Sequence, residues 1–446
     1  MREGGMSAPV RHALKWRDEE FTDETKLFDE LERVFDLCHG CRRCFNLCDS
    51  FPRLFDMVDE SPTGEVDGVA KADYWKVVDA CTMCDLCFMT KCPYVPPHEW
   101  DLDFPHLMLR ARAFQFKNGK TNKKQDRLTE MDANGPLGVK LSGLANWASK
   151  RDNGLTRPVM EAVAGVHRDA ALPEFAKQTC QEKAKAEPVE VNGDAPAKAR
   201  KAVIYASCFG EYNDPAIVLD TRAVLAKNGI NAEIVYPECC GMPQLEQGDL
   251  ERVAGKAKSI ALALKPYVDD GYDIVVPVAS CALMLKFEWP LIETDDENVK
   301  ALSQATFDAT EYIVDIAGKE GLAEGLQPLE GGVTAHIACH ARAQNMGRKA
   351  QELLKLIPDT ETTVIERCSG HGGSWGVMKE WFEIGMKVGT PVFRDAAKAG
   401  SAYVVSECPL ARDQIVQGME RKDATVEGPG KALRHPVQLL ARSYGL

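Results

Sequence analysis

The chain has 446 residues, a length that suggests two to four domains. Its 45% hydrophobic and 27% charged residues allow a sizeable core, and a formal net charge of −13 argues against a general nucleic-acid binder. No stretch reaches the roughly 18 apolar residues of a membrane span; the longest, 274–285, contains Pro277, Ser280 and Cys281 and reads as a buried strand and turn. The opening MREGGMSAPVRHALKWRDEE lacks the continuous apolar region of a secretory signal, so a cytoplasmic location is expected. In that reducing compartment, sixteen cysteines read as metal-binding or catalytic groups rather than structural disulfides.

Residues 26–37, KLFDELERVFDL, put Leu27, Phe28, Leu31, Val34 and Phe35 on one helical face, with Thr22 or Asp23 as the cap. This helix delivers the chain into CHGCRRCFNLC. The segment YWKVVDA, 74–80, does the same for CTMCDLCFMTKCP. Residues 104–117, FPHLMLRARAFQFK, predict an amphipathic helix with an apolar stripe of Phe104, Leu107, Met108, Ala111 and Phe114. Arg110, Arg112, Lys117, Lys120, Lys123, Lys124 and Arg127 make this the most basic part of the chain. They read as a solvated face, or as contact with an anionic membrane or an acidic partner. Residues 181–200 are charged and rich in Ala and Pro, and read as a linker.

Beyond the linker, KAVIYASC, AEIVYPECC and YDIVVPVASC are short β-branched runs ending in cysteine, separated by helical segments. The alternation predicts βαβ units and a mostly parallel sheet. It then repeats as VTAHIAC, TTVIERCSG and AYVVSEC. Cys208 matches Cys339, Cys239 matches Cys368 and Cys281 matches Cys408, at intervals of 31 and 42 residues in one copy and 29 and 40 in the other. Open α/β sheets place ligands at such strand ends.

The first cysteine run is Cys38-x2-Cys41-x2-Cys44-x3-Cys48, and the second is Cys81-x2-Cys84-x2-Cys87-x4-Cys92-Pro93. Three cysteines spaced by two residues wrap one cubane cluster, and the fourth ligates the other cluster. By that rule one [4Fe–4S] cluster takes Cys38, Cys41, Cys44 and Cys92, and the other takes Cys81, Cys84, Cys87 and Cys48. A zinc site rarely uses this spacing. Arg42, Arg43 and Lys91 lie beside these ligands in sequence and would favour a reduced, more negative cluster.

The two runs, the phrase VPPHEWDLDFPHLMLRARA and the duplicated cysteine units resemble the iron–sulfur subunit of anaerobic glycerol-3-phosphate dehydrogenase. The wider resemblance is to the CCG-domain iron–sulfur oxidoreductases related to heterodisulfide reductase. It implies a multidomain fold: an all-α bis-[4Fe–4S] ferredoxin domain over 20–108, a helical basic segment over 109–180, the linker, and two duplicated α/β CCG domains over 201–325 and 326–446. A complete CCG unit of that family has five cysteines. Here Met284, Ser369 and Ala411 stand where cysteines would, so a noncubane cluster is in doubt in both units. Cys208, Cys239, Cys240 and Cys281 still offer four thiols. Cys339, Cys368 and Cys408 offer three, with His340 and His371 as supplementary ligands.

These seven cysteines are read either as a third iron–sulfur or redox site or as a packed remnant. Cys180 lies outside every pattern, and His98 and His106 read as structural. The glycine-rich GHGGSWG, 370–376, suits close backbone approach to a metal or sulfur site better than a phosphate loop.

The resemblance implies an electron-transfer subunit working between a flavoprotein dehydrogenase and a quinone or other acceptor, peripheral on the cytoplasmic membrane. It does not imply catalysis on a small substrate alone. The alternatives are thiol–disulfide reduction at the CCG cysteines, electron donation to a peroxide-reducing ferritin-like partner, and a cluster-bearing scaffold.

Overall fold

In the computed structural model, which describes residues 9–446, the Asp23 side chain accepts the Lys26 amide at 2.8 Å and starts helix α1, Glu24–Cys41. The five expected apolar residues are buried. The helix runs past 37, so its last turn carries Cys38 and Cys41, and left-handed Arg42 (φ 51°) ends it. Helices α2, Ser50–Asp59, and α3, Tyr74–Ala80, pack on each other, with the Ser50 hydroxyl donating to the Val77 carbonyl at 2.6 Å.

Helix α4, Phe104–Lys117, has the bounds the periodicity predicts but not the surroundings. Nine of its residues are buried, and the Phe51 and Phe104 rings meet at 4.7 Å. Its cations are not a free basic face. Arg110 donates to the Phe21 and Glu20 carbonyls, both at 2.8 Å, and Lys117 donates to the Thr22 hydroxyl at 2.7 Å. Arg112 bridges the Glu246 carbonyl at 2.6 Å, the Val78 carbonyl at 3.1 Å and the Cys81 carbonyl. The membrane reading therefore fails for Arg110 and Arg112, whose long stems carry their charges to carbonyls, whereas Lys117 stays exposed on the Thr22 hydroxyl.

Helices α5, Lys123–Leu128, α6, Met131–Lys140, α7, Ser142–Ser149, and α8, Thr156–Ala164, follow. Gly135 and Gly138 of α6 lie so close to the Tyr212 and Phe175 rings that any Cβ would collide with them. The expected linker, 181–200, is packed rather than free. Thr179 forms a capping box for α9, Cys180–Ala186, Cys180 is fully buried, and Arg222 ties down the Ala184 and Glu187 carbonyls at 3.0 and 2.6 Å.

The first sheet comprises β1, Ala202–Tyr205, β2, Glu233–Val235, β3, Asp273–Val276, and β4, Thr306–Asp308, in the parallel order β2-β1-β3-β4. The second comprises β5, Val333–His336, β6, Thr362–Ile365, and β7, Tyr403–Ser406, ordered β6-β5-β7 and also parallel. The shared topology is the structural form of the cysteine repeat; β4 is an addition to the first copy.

The two α/β units bury one apolar cluster jointly, with Ile204, Val218 and Val224 from the first and Val333, Leu353 and Val437 from the second. Near the cysteine ends, Ala279, Ala338 and Ala341 allow close approach. There the Ala279 amide donates to the Glu407 carbonyl at 3.3 Å.

Candidate functional site

The N-terminal cysteines gather in two sets. Burial, then the neighbouring sulfurs of Cys92, Cys44 and Cys41, pushes the Cys38 thiol well above its ordinary range. Cys44 is pushed up to about 12 by burial and by Cys92 and Cys41. In the other set, burial with Cys84 and Cys81 raises Cys48, and burial with Cys84, Cys81, Cys44 and Cys48 raises Cys87. Each run thus has a neighbour in the other, Cys92 beside Cys38 and Cys44, and Cys48 beside Cys87, and Cys44 also acts on Cys87.

Local backbone makes this grouping. The last turn of α1 presents Cys38 and Cys41, and α3 ends at Cys81. Left-handed Met83 (φ 51°) and Asp85 (φ 61°) then flank Cys84, and the wide turn Cys87–Lys91 closes with the Cys92 amide on the Cys87 carbonyl at 2.8 Å.

Buried thiols that raise one another cannot all ionise alone, but an iron–sulfur core deprotonates and compensates them. Among the described residues no three His, Cys, Asp or Glu side chains converge on a single ion's position. Arg43 and Lys91 both act on Cys44, whereas Arg42 is paired with Asp59 at 2.8 Å and is no longer a free charge beside the thiols.

In the first α/β unit, Cys208 follows β1, Cys239 and Cys240 follow β2, and Cys281 follows β3. Their sulfurs form two close pairs, Cys208–Cys239 at 3.7 Å and Cys240–Cys281 at 3.1 Å. Hydrogen bonds from Cys208 and then Cys240 hold Cys239 below the usual thiol range, while Cys208 and Cys240 are raised.

The sequence reading missed several supports of this site. Asp132 of α6 accepts the Cys239 amide at 2.9 Å and the Tyr236 hydroxyl at 2.7 Å, and pairs with Lys256 at 2.6 Å. Trp289 donates to the Cys240 carbonyl at 3.2 Å. Nothing in the spacing of cysteines points to an aspartate a hundred residues earlier.

In the second unit, Cys339, Cys368 and Cys408 follow β5, β6 and β7. The Gly370 amide donates to the Cys368 sulfur at 3.3 Å. Burial, then the sulfurs of Cys84, Cys368 and Cys408, raises Cys339. The thiol that joins these three is therefore Cys84 of the N-terminal unit. His340 engages both ring nitrogens elsewhere, with the Ser280 hydroxyl at 2.9 Å and the Met83 carbonyl at 3.3 Å, so it is not a free ligand. His371 keeps a buried Nε2 with no partner among the described residues.

The GHGGSWG loop docks on the N-terminal unit. A Cβ on Gly372 (φ 55°) would meet the Thr82 side chain, and Trp375 donates to the Asp79 carbonyl at 3.0 Å. Gly370 thus brings its backbone to the Cys368 sulfur, as the sequence suggests, while Gly372 serves an interdomain seam.

The family model for the cysteine-rich domain, CCG, matches residues 202–286 and 333–412, the two α/β units just described. The chain carries two CCG cysteine-rich domains. A subunit of the anaerobic glycerol-3-phosphate dehydrogenase of Escherichia coli (strain K12) is 24% identical over 346 residues, 77% of this chain and 82% of that one. Lactate utilization protein A of Bacillus pumilus is 28% identical over 188 residues, 40% of this chain and 75% of that one. A subunit of the dihydromethanophenazine:CoB–CoM heterodisulfide reductase of Methanosarcina acetivorans is 23% identical over 257 residues, 55% of this chain and 59% of that one. Two of the substituted positions are apolar and buried: Met284 is wholly inaccessible, and Ala411 sits in the first turn of the helix Pro409–Glu420. Neither offers a thiolate.

Proposed function

We propose that the protein is an iron–sulfur electron-transfer subunit working between a flavoprotein dehydrogenase and a quinone or other acceptor. Cys38, Cys41, Cys44 and Cys92 hold one [4Fe–4S] cluster, and Cys48, Cys81, Cys84 and Cys87 hold the other. Such clusters, when bound, supply one-electron carriers.

One observation carries this reading: the second cysteine run is clamped against the strand ends of the CCG domains. His340 reaches the Met83 carbonyl, Trp375 reaches the Asp79 carbonyl, and Arg112 joins the Cys81 carbonyl to that of Glu246. Cys84 is the sulfur neighbour of both Cys339 and Cys368. These contacts bring the two cysteine systems together and support a short route from one to the next.

Cys208, Cys239, Cys240 and Cys281 have the donor set for a third cluster. Cys339, Cys368 and Cys408 have three thiols, with the unpartnered His371 as the available nitrogen donor. Similarity to the glycerol-3-phosphate dehydrogenase and heterodisulfide reductase subunits supports a place beside redox partner proteins. It does not transfer their substrates, because function belongs to sites rather than folds.

The anaerobically purified protein should accept electrons from a photoreduced flavin and pass them to a soluble quinone analogue, and Cys87→Ser should abolish the transfer. Oxidation of a small organic substrate by the protein with no partner present would count against the reading.

A second reading, thiol–disulfide reduction, draws on the close Cys208–Cys239 and Cys240–Cys281 pairs. Two thiols would close to a disulfide and deliver two electrons and two protons to a bound disulfide. Disulfide reduction that survives Cys240→Ser removes it.

A further inference from the structure

Among the described residues, twelve large hydrophobic side chains are exposed, and seven of them lie between 137 and 163: Leu137, Leu141, Leu144, Trp147, Leu155, Val159 and Val163. They are ordered into stripes. Leu137, Leu141, Leu144 and Trp147 follow one another at three or four residues along α6 and α7. Leu155, Val159 and Val163 do so along α8, with Pro158 and Ala162 exposed between them. This is helical amphipathicity with its apolar side outward, the reverse of a globular helix.

The hairpin is nonetheless firmly built. Asn153 accepts the Leu155 and Thr156 amides at 3.1 and 3.2 Å. Arg157, buried beneath, donates to the Ser149, Arg168, His167 and Ala170 carbonyls at 2.7 to 3.2 Å. Leu155 is 79% exposed on this ordered scaffold.

The charge around the face is opposite to that of the chain. Lys120, Lys123, Arg127 and Lys140 are exposed and make no ion pair among the described residues. Helix α5 packs on α8, and Lys124 holds the Ala162 carbonyl at 2.9 Å. Of the acids nearby, Glu130, Asp132, Asp152 and Glu161 are paired with Arg252, Lys256, Lys150 and Arg168; Asp126 has only the Thr121 hydroxyl, at 3.3 Å. A protein of net charge −13 therefore sets four uncompensated cations beside an exposed apolar stripe.

We propose that α6, α7 and α8 form an interfacial membrane face that dips into an anionic phospholipid leaflet. Helices of eight and nine residues are about 12–14 Å long, less than half of a roughly 30 Å hydrocarbon core, so they lie in the interface and do not cross it. Apolar residues with a tryptophan on one side and lysines beside them are the chemistry such a surface recognises. The inference rests on the electron-transfer reading for its purpose. Helix α6 carries Leu137 and Lys140 outward and Asp132 onto the Cys239 amide, so the face stands over the first CCG site.

The test is flotation of the full, cluster-loaded protein with phosphatidylcholine vesicles, with and without phosphatidylglycerol. The wild type should float with the anionic vesicles and be released by salt. The variant Leu144→Ser/Trp147→Ser/Leu155→Ser/Val159→Ser should lose about tenfold or more in partitioning, since binding scales with buried apolar area. Lys120→Gln/Lys123→Gln/Arg127→Gln/Lys140→Gln should lose the preference for anionic lipid. All eight positions are on the surface, so both variants should keep the wild-type visible absorption and electron transfer to a soluble acceptor.

Membrane binding that is indifferent to both variants overturns the face but leaves the electron-transfer reading standing. No vesicle binding, with a dimer that the serine variant dissociates, makes a second copy the occupant and also overturns the face. A wild type without redox-active clusters fails the electron-transfer reading whatever the vesicles show.

Discussion

Arg11 illustrates how single residues tie the N-terminal unit to the first CCG domain. Its guanidinium meets Asp85 at 2.6 Å, Asp103 at 2.8 Å and Glu288 at 3.0 Å, and Glu288 also faces His106 at 3.2 Å. Burial alone would raise the Glu288 carboxyl, but His106 and Arg11 outweigh it and hold it at about 2. A group whose folded pKa lies below its unfolded value of about 4.3 contributes stability that is complete above that value. The contribution is lost as pH falls toward the folded pKa. Glu288→Gln should therefore cost about 3–5 kcal/mol at pH 7, the penalty for breaking a buried pair. The gap from wild type should shrink between about pH 5 and pH 3. A gap that stays constant over this range in paired denaturation curves would show that Glu288 is not the titrating group. His106 was legible as a structural histidine, since a lone histidine on an apolar helix needs a partner. The roles of Arg110, Arg112 and Arg42 were not, because sequence shows a charge and not the carbonyl or carboxylate that its long stem reaches.

At the scale of elements, the cysteine intervals made the duplicated parallel sheets legible, for a strand ending in cysteine three times over fixes both period and polarity. The three-residue strand β4 carried no such mark and was missed. The glycine-rich loop meets the Cys368 sulfur through the Gly370 amide, as its position after Cys368 suggests, but its contacts with Thr82 and Asp79 carried no mark in the sequence. Gly370 (φ 76°) is the sharpest case: a Cβ there would strike the Gly385 carbonyl. Gly370→Ala should cost about 1–2 kcal/mol for the left-handed backbone alone and more for the collision. It should also undock the loop, seen as faster proteolysis near 370–376. Wild-type stability and protease resistance would refute the close packing of Gly370 on Gly385. The outward apolar stripe of α6 to α8 was hidden for another reason: periodicity reports that a helix has an apolar side, not what that side faces.

For the whole molecule, the helical N-terminal unit sits against the cysteine ends of both CCG domains. It is joined to them by Arg11–Glu288, Arg112–Glu246, His340–Met83 and Trp375–Asp79. The chain offers no helix long and apolar enough to cross a membrane among its described residues. The proposed electron route runs from the paired N-terminal cysteine sets through Cys84 toward the CCG thiols. The most direct measurement is anaerobic iron and sulfide analysis with electron paramagnetic resonance during reductive titration, on the wild type and on Cys84→Ser. The account predicts about eight irons per chain or more, with two signals that broaden each other because the cysteine sets interlock. In Cys84→Ser one signal should be altered and electron passage to the CCG side should slow. About four irons or fewer per chain, or two signals with no mutual broadening and full transfer in Cys84→Ser, would contradict it.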